Sequence, residues 1–273
     1  RLDESWRPIN LALQELRTVP LVELRPIAGA NPGVPCRHWA AQVRAIQGFF
    51  EQSHGFALET MPFADPSEQA YTRAMALSAV GRSMGFKGQV TGAVACLQQA
   101  REIAERHGVK SYGALVGIYL GIHATGSGDV TGGLRMMRDG VAQWKANAGR
   151  FNSSALAARV AQALLDAGHR EGALEFILDG EATCTETDEK WYEADLVRLR
   201  GRLAEFDRDA GEAERKYRQA IATAEQQGAK AFSLAAATAL ARLLQSQGRF
   251  EEADAALRPI YEWFTEGFDW PDL

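Results

Sequence analysis

Small and large apolar residues recur along this chain with a period of 40. Gly88, Gly128, Gly168, Arg208 and Gly248 mark the period, and the small residues Ala93, Gly133, Ala173, Ala213 and Ala253 follow five positions later. Four positions beyond those stand Leu97, Met137, Ile177, Tyr217 and Leu257, all large and apolar. Before each turn a second small column runs through Gly81, Gly121, Ala161, Gly201 and Ala241. Such self-similarity predicts stacked helical hairpins. The small columns allow the two helices of a hairpin to cross closely, and the large column fills the space between hairpins. The predicted unit is a first helix of roughly 17 residues, a short turn and a second helix of roughly 19.

Proline placement divides the chain. Pro8, Pro20, Pro26, Pro32, Pro35, Pro62 and Pro66 all lie in the first quarter, and the next is Pro259. The long proline-free stretch, broken by regular glycines, reads as consecutive helices. Residues 1–66 read as an N-terminal helical extension, a connector and a candidate cap; residues 67–273 read as the repeat array. Within the extension, Ile9 to Thr18 predicts a short helix, and Pro20 to Pro35 an irregular connector. Arg37 to His54 predicts a second helix ending near Gly55, with Trp39, Val43, Ile46 and Phe50 on one face. Residues 56–66 read as a loop. In the last unit the first helix is expected over Lys230–Gln247, closed by Gly248, and the second from near Phe250. Gly108, Gly149 and Gly228 are expected to end three of the second helices. The fourth unit deviates most, with Arg208 at the turn and Arg200 in an apolar column. The fold class is therefore all-α, a right-handed α-solenoid of about five hairpins, an architecture that more often binds than catalyses.

Composition narrows the function classes. A net charge of -5 gives no pull toward nucleic acid or an anionic membrane, so direct binding to either is not expected. No apolar run reaches the ~20 residues of a membrane span. Cys36, Cys96 and Cys184 form no CxxC pair, which argues against a zinc site or disulfide framework and fits a reducing cytoplasm. The start at Arg1, without methionine or an apolar leader, reads as a fragment of a longer chain. Arginine outnumbers lysine 24 to 6, a hint of a GC-rich bacterial genome.

The run Gly248-Arg249-Phe250-Glu251-Glu252-Ala253 resembles the tetratricopeptide repeat, echoed at Gly88–Ala93, Gly128–Gly133 and Gly168–Ala173. The longer period and the lack of an inter-repeat proline resemble its extended, degenerate variety. Two further segments, Lys190 to Gly201 and Tyr261 to Asp269 with Asp272 and Leu273, resemble the C-terminal repeat region of large bacterial signalling ATPases. That resemblance covers roughly residues 85–273, and Trp270 stands where the family more often has a small residue. In that family the region follows a P-loop ATPase module linked to a cyclase or winged-helix domain. The resemblance implies a sensor or interaction arm and carries over no catalytic residue.

Motifs that could carry chemistry are sparse. Gly81-Arg82-Ser83-Met84-Gly85 spells GxSxG, but that elbow needs a strand before it and a helix after it, whereas Ser83 falls in a repeat helix. His38, His54, His107, His123 and His169 have no metal-ligand spacing, so no metal is expected. His107 and His169 are placed at helix ends, where imidazolium suits a C-terminal dipole or a turn. No phosphate loop occurs, Thr125 to Asp129 is a repeat turn, and no cofactor is implied. Asn152-Ser153-Ser154 spells a glycosylation acceptor without meaning in a bacterial cytosol. The tail aromatics Tyr261, Trp263, Phe264, Phe268 and Trp270 read as a capping cluster.

The sharper hypothesis is the inner surface lined by the first helices. Its predicted lining is Arg82, Leu115, Ile118, Ile122, Gln162, Leu165, Arg198, Arg202, Arg242 and Gln245. The centre is read as apolar, through Leu115, Ile118, Ile122 and Leu165, with arginines on both sides. Such a groove suits an extended peptide or helix with acidic ends, because guanidinium forks pair carboxylates bidentately. Arg198 and Arg202 have i,i±3 partners in Asp195 and Glu205, whereas Arg82 and Arg242 lack one and are the better candidates. The expectation is a non-catalytic interaction or sensor module that binds a protein or peptide, or another domain of its parent chain. In that role it would regulate a signalling ATPase, cyclase or transcription factor. The alternative is a small-molecule inducer sensor in a transcriptional regulator; a hydrolase built on Ser83 is the third class.

Overall fold

The computed structural model of the protein describes residues 2–18, 31–65 and 68–271. Most of the proline-rich connector, Ser67 at the expected start of the array, and Asp272 and Leu273 lie outside the described residues. Among the described residues every regular element is helical. Five hairpins form the array: α4 (Ala70–Phe86) with α5 (Val90–His107), α6 (Lys110–Gly126) with α7 (Val130–Ala148), α8 (Ser153–Asp166) with α9 (Arg170–Thr187), α10 (Glu193–Phe206) with α11 (Ala210–Gln227), and α12 (Lys230–Ser246) with α13 (Phe250–Tyr261). The first helices α4, α6, α8, α10 and α12 pack on one another in order and make the inner wall of an α-solenoid. Before the array come α1 (Leu2–Thr18), α2 (Gly33–Gln47), α3 (Phe50–Leu58) and a 3-10 turn at Met61–Ala64.

The five turns share one construction. The residue on the 40-residue mark takes a left-handed backbone, with φ of 78°, 102°, 74° and 77° at Gly88, Gly128, Gly168 and Gly248 and 60° at Arg208. This lets the next N–H reach back five residues: Gln89 to the Met84 carbonyl at 2.9 Å, Asp129 to Ala124 at 3.0 Å, His169 to Leu164 at 2.7 Å, Asp209 to Ala204 at 2.9 Å and Arg249 to Leu244 at 2.9 Å. That is the 6→1 closure of a Schellman cap, which satisfies a carbonyl the helix end leaves open. The Asp129 and Asp209 carboxylates then accept the third N–H of the following helix at 2.9 Å each. His169 does the same through Nδ1 at 3.1 Å. Of the two placements expected for His169, the structure has the turn, where the ring starts the helix as a hydrogen-bond acceptor.

The small columns are the crossing points. A Cβ on Gly121 would stand 2.8 Å from the Gly133 carbonyl oxygen, and one on Gly201 would meet the Tyr217 ring at 2.5 Å. Between hairpins the second helices and the turns are joined by ion pairs such as Arg138–Glu175 at 2.5 Å, Lys145–Asp179, Arg170–Asp207 at 2.7 Å and Arg249–Glu214 at 2.6 Å. Exposed pairs of this kind add little stability, about 0–1 kcal/mol each. Their repetition fixes the register of one hairpin on the next.

The N-terminal part departs from expectation in three ways. α1 begins at Leu2 rather than Ile9, with Pro8 inside it. Pro8 is exposed, so water can serve the carbonyl that its missing N–H leaves open. The predicted helix Arg37–His54 is two helices, broken at Gly48, whose φ is 92° and whose Cβ would meet Phe264 and Trp263 within 3.1 Å. Residues 56–58 continue α3, and 61–64 form the 3-10 turn rather than open loop.

α2 lies across the inner side and touches both α4 and α12. Trp39 meets Phe151 edge-on and Trp191 at a tilt, with ring centroids 5.3 and 6.1 Å apart. Val43, Ile46 and Phe50 of the predicted face are buried. The tail closes the circuit. Phe50 stacks on Phe264 and Trp270, at centroid distances of 5.8 and 5.3 Å. The Trp270 indole N–H donates to Glu51 at 2.6 Å, and Lys87 bridges Glu51 at 3.1 Å and Asp269 at 3.3 Å. Glu266 accepts the N–H groups of Glu51 at 3.0 Å and Gln52 at 3.2 Å, both in the first turn of α3. A carboxylate there suits the positive end of the helix. Of the tail aromatics, Phe264 and Trp270 are buried in this seam, while Tyr261, Trp263 and Phe268 stay exposed.

α2 also holds Arg82. The Arg82 guanidinium donates to Gln42 Oε1 at 3.0 Å, reaches His38 Nε2 at 3.5 Å and lies over the Tyr119 ring at 4.7 Å. Gln42 Nε2 lies 2.9 Å from the same His38 nitrogen. Burial first, and Arg82 second, push the His38 pKa down to about 3, so the ring is neutral and its Nε2 accepts.

This packing makes glycine-to-alanine changes position-dependent. Gly121→Ala should lower the urea-unfolding free energy by about 1–3 kcal/mol through overpacking. Gly117→Ala on the same helix, with no atom within 4 Å of the added methyl, should raise it by about 0.5–1 kcal/mol. His38 gives a pH dependence. Its pKa is depressed in the folded state, so its contribution is complete above its ordinary value of 6.5 and is lost as pH falls from there toward about 3. The expected slope over that window is about 1.4 kcal/mol per pH unit from this group. His38→Gln should flatten that segment of the stability–pH curve.

Candidate functional site

α8, α10 and α12 present their inner faces to α2, α3 and the tail, and a cavity of about 540 Å³ remains between them. The wall is polar. Asp195 pairs with Arg198 at 2.7 Å, Arg198 donates to Gln162 at 2.6 Å, Gln162 donates to Asp166 at 2.7 Å, and Arg202 donates to Asp166 at 2.7 Å. This chain of hydrogen bonds ties α8 to α10. Its deep end, Asp195 with Arg198, is a buried ion pair, where removing one partner strands the other charge. Glu205 accepts from the Tyr217 hydroxyl at 2.5 Å. Burial, then Glu205, raises the pKa of Tyr217 and keeps it protonated.

The opposite side is apolar. Ile46 of α2, Phe50 of α3, Phe86 of α4, and Trp270 and Pro271 of the tail roof the cavity, and Ala231, Phe232, Ala235 and Ala239 of α12 extend that surface. Arg159 stands at the junction. Its guanidinium lies over the Phe86 ring at 4.4 Å and the Tyr192 ring at 5.6 Å and donates to the Tyr192 hydroxyl at 3.2 Å.

The structure sorts the predicted lining residues into three sets. Gln162, Arg198, Arg202 and Arg242 line the cavity. Arg242 is exposed there, and among the described residues no hydrogen bond or ion pair engages it. Gln245 is exposed but outside the cavity, and Ile122 is half-buried against the core. Leu115, Ile118 and Leu165 are at most 2% exposed. They belong to one continuous core with Val34 and Ile46 of α2. The apolar inner stripe is therefore already used by the chain's own packing, and the open part of the inner surface is its charged part. Arg82, expected to be free, is 6% exposed and engaged by Gln42, His38 and Tyr119. Arg202 pairs with Asp166 on the neighbouring helix, not with Glu205.

Sequence reasoning missed Arg159 and the aromatic roof. Arg159 stands one turn before Gln162 on the same face, a spacing that could have included it. Nothing local could have placed Phe50 against Trp270.

Ser83 lies within α4, with helix before it and after it, so the strand–turn–helix of a nucleophile elbow is not formed there. Its buried hydroxyl is 2.8 Å from His54 Nδ1 and fastens α3 to α4. Burial, then Lys87, lowers the His54 pKa. Among the described residues no group of His, Cys, Asp and Glu is arranged to hold a metal ion, and no helix is long and apolar enough to cross a membrane.

No known family's sequence profile matches the chain, and no curated protein matches it in sequence. Its backbone does resemble solved structures. The apo form of RapI superposes with a TM-score of 0.64 at 12% identity, over 95% of this chain and 97% of that one. A putative kinesin light chain from Podosopora anserina, built of nearly identical TPR-like repeats, superposes with a TM-score of 0.50 at 20% identity, over 71% of this chain and 95% of that one. At these identities the likeness is one of fold: the chain has the α-solenoid architecture of tetratricopeptide-like repeat proteins.

Proposed function

We propose that this chain is a non-catalytic regulatory module that binds a peptide segment or a partner domain on its inner surface. The observation that carries the reading is the arginine-rich inner wall of α8, α10 and α12, which faces a cavity instead of core. A folded catalyst would need a nucleophile, a base and a stabilising site brought together; the wall instead offers fixed charge and hydrogen-bonding capacity. The resemblance of the Lys190–Gly201 and tail segments to signalling ATPases supports a partner in the same parent chain, with an ATPase, cyclase or transcription factor as the regulated activity. The cytoplasm is the expected compartment.

A second reading, small-molecule sensing, is favoured by the roof. Helices α2 and α3 and the tail cover the inner surface and leave a bounded volume of about 540 Å³, within the range of about 300–1,000 Å³ typical of small-ligand sites.

Photo-crosslinking separates the two. With a benzophenone amino acid at Thr238, on the α12 wall, in the producing cells, the first reading predicts a polypeptide adduct that Arg242→Glu abolishes and that is absent with the label at Arg135 on the exposed face of α7. The second predicts no such adduct and a saturable rise in melting temperature with a metabolite, worth about 2.7 kcal/mol at a hundred times Kd. Equal adducts from Thr238 and Arg135 would contradict the first reading.

A further inference from the structure

We propose that the cavity is a site for an amphipathic organic anion, a carboxylate or sulfonate on an aromatic or aliphatic body, with Arg242 and Arg159 as its anion-binding residues. The inference rests on the small-molecule reading above and names the ligand chemistry.

It follows from which charges in the cavity are already spent. Four guanidinium groups and three carboxylates line it. Every carboxylate is engaged by the wall itself: Asp195 by Arg198, Asp166 by Arg202 and Gln162, and Glu205 by the Tyr217 hydroxyl. A cationic ligand would have to break one of these. Of the four arginines, Arg198 and Arg202 are likewise engaged. Arg159 and Arg242 are not neutralised by any carboxylate at ion-pair distance among the described residues. There, Arg159 makes a single hydrogen bond, to a neutral hydroxyl, and its Nε is buried without a partner. A guanidinium carries five N–H donors and does not lose its proton in a protein. Uncompensated charge beside apolar walls is costly, and an entering anion relieves that cost. Arg242 on α12 is open to the cavity and free to make a forked contact with a carboxylate or sulfonate.

The rest of the ligand is specified by the roof. Phe50, Phe86 and Trp270 of the roof, with Phe232 of α12, give the cavity an aromatic lining beside its charged groups. A purely hydrophilic anion such as phosphate would leave that surface wet; an apolar body fills it. Phe50 and Trp270 belong to opposite ends of the chain and are stacked on each other at 5.3 Å. Occupation of the cavity therefore bears on the same contact that closes the fold.

The test uses two probes with one skeleton, 8-anilinonaphthalene-1-sulfonate and the uncharged N-phenyl-1-naphthylamine, each titrated by fluorescence into the full chain. The sulfonate should bind saturably at about one per chain, about tenfold or more tighter than the neutral probe. Arg242→Glu should weaken the sulfonate about 10- to 100-fold, the loss expected for a charge-assisted contact, and change the neutral probe little. Arg242 is exposed and unpaired, so its replacement leaves the packing intact; an unchanged melting temperature checks this. Arg159→Gln should weaken the sulfonate in the same direction, while Arg135→Glu on α7 should not. If the two probes bind alike and Arg242→Glu is silent, the anion assignment is overturned and the cavity reading survives. If neither probe binds, both fall together.

Discussion

The docking of α2 against both the first and the last hairpin is the constraint that governs how the other parts pack. Leu115, Ile118 and Leu165 share one core with Val34 and Ile46 of α2. Each such side chain taken out of water is worth about 1.5–3 kcal/mol. Burial of Val34, Val43 and Ile46 thus favours docking of α2, and the docked helix touches both the first and the last hairpin. The polar consequences follow. Arg82 and His38 are buried together and must satisfy each other through Gln42. Gly48 must be glycine, both for its left-handed turn and because the tail aromatics pass over it.

The array itself was legible in the chain. Its period, its turn glycines and its small crossing columns are local signals. They predict the last unit's first helix over Lys230–Gln247, against Lys230–Ser246 in the structure. Even the exception at Arg208 obeys the same rule, taking the left-handed conformation of the glycines it replaces. The N-terminal packing was not legible. The bond from Trp270 to Glu51 spans 219 residues, and no periodicity encodes such a contact. The inner-face residues show the same limit. Counting from the small column picks out Gln162, Arg198, Arg202 and Arg242, which line the cavity. It cannot tell that Leu115 and Ile118 are taken up in the core, Ile118 beside Gly140 of α7, so it offers them to a partner when the chain has already used them.

What remains open on the inner side is a charged wall facing an aromatic roof, and this combination is uncommon in a surface built only for stability. The wall's hydrogen bonds run from Asp195 to Arg202 through side chains of two helices, so they fix each other's rotamers. Rigid donors placed beside apolar surface make a pre-organised site, which lowers the ordering cost of binding. Because the roof is made by the two ends of the chain, the shape of the site depends on the seam among Phe50, Phe264, Glu266 and Trp270. Binding and closure of the array are thereby coupled through shared side chains, and a ligand that prefers the closed form would stabilise it.

Native-state hydrogen exchange tests most directly whether α2 is a structural part of the array and forms one side of its cavity. If α2 is docked on the inner wall, the amides of Ala40–Gln47 exchange about as slowly as those of Leu234–Leu244 in α12. Replacing Phe50 by serine should then accelerate α2 and leave α7 unchanged. If the α2 amides of the unmodified protein exchange far faster than those of α12, the helix is not held against the inner wall, and the cavity is not a feature of the protein in solution.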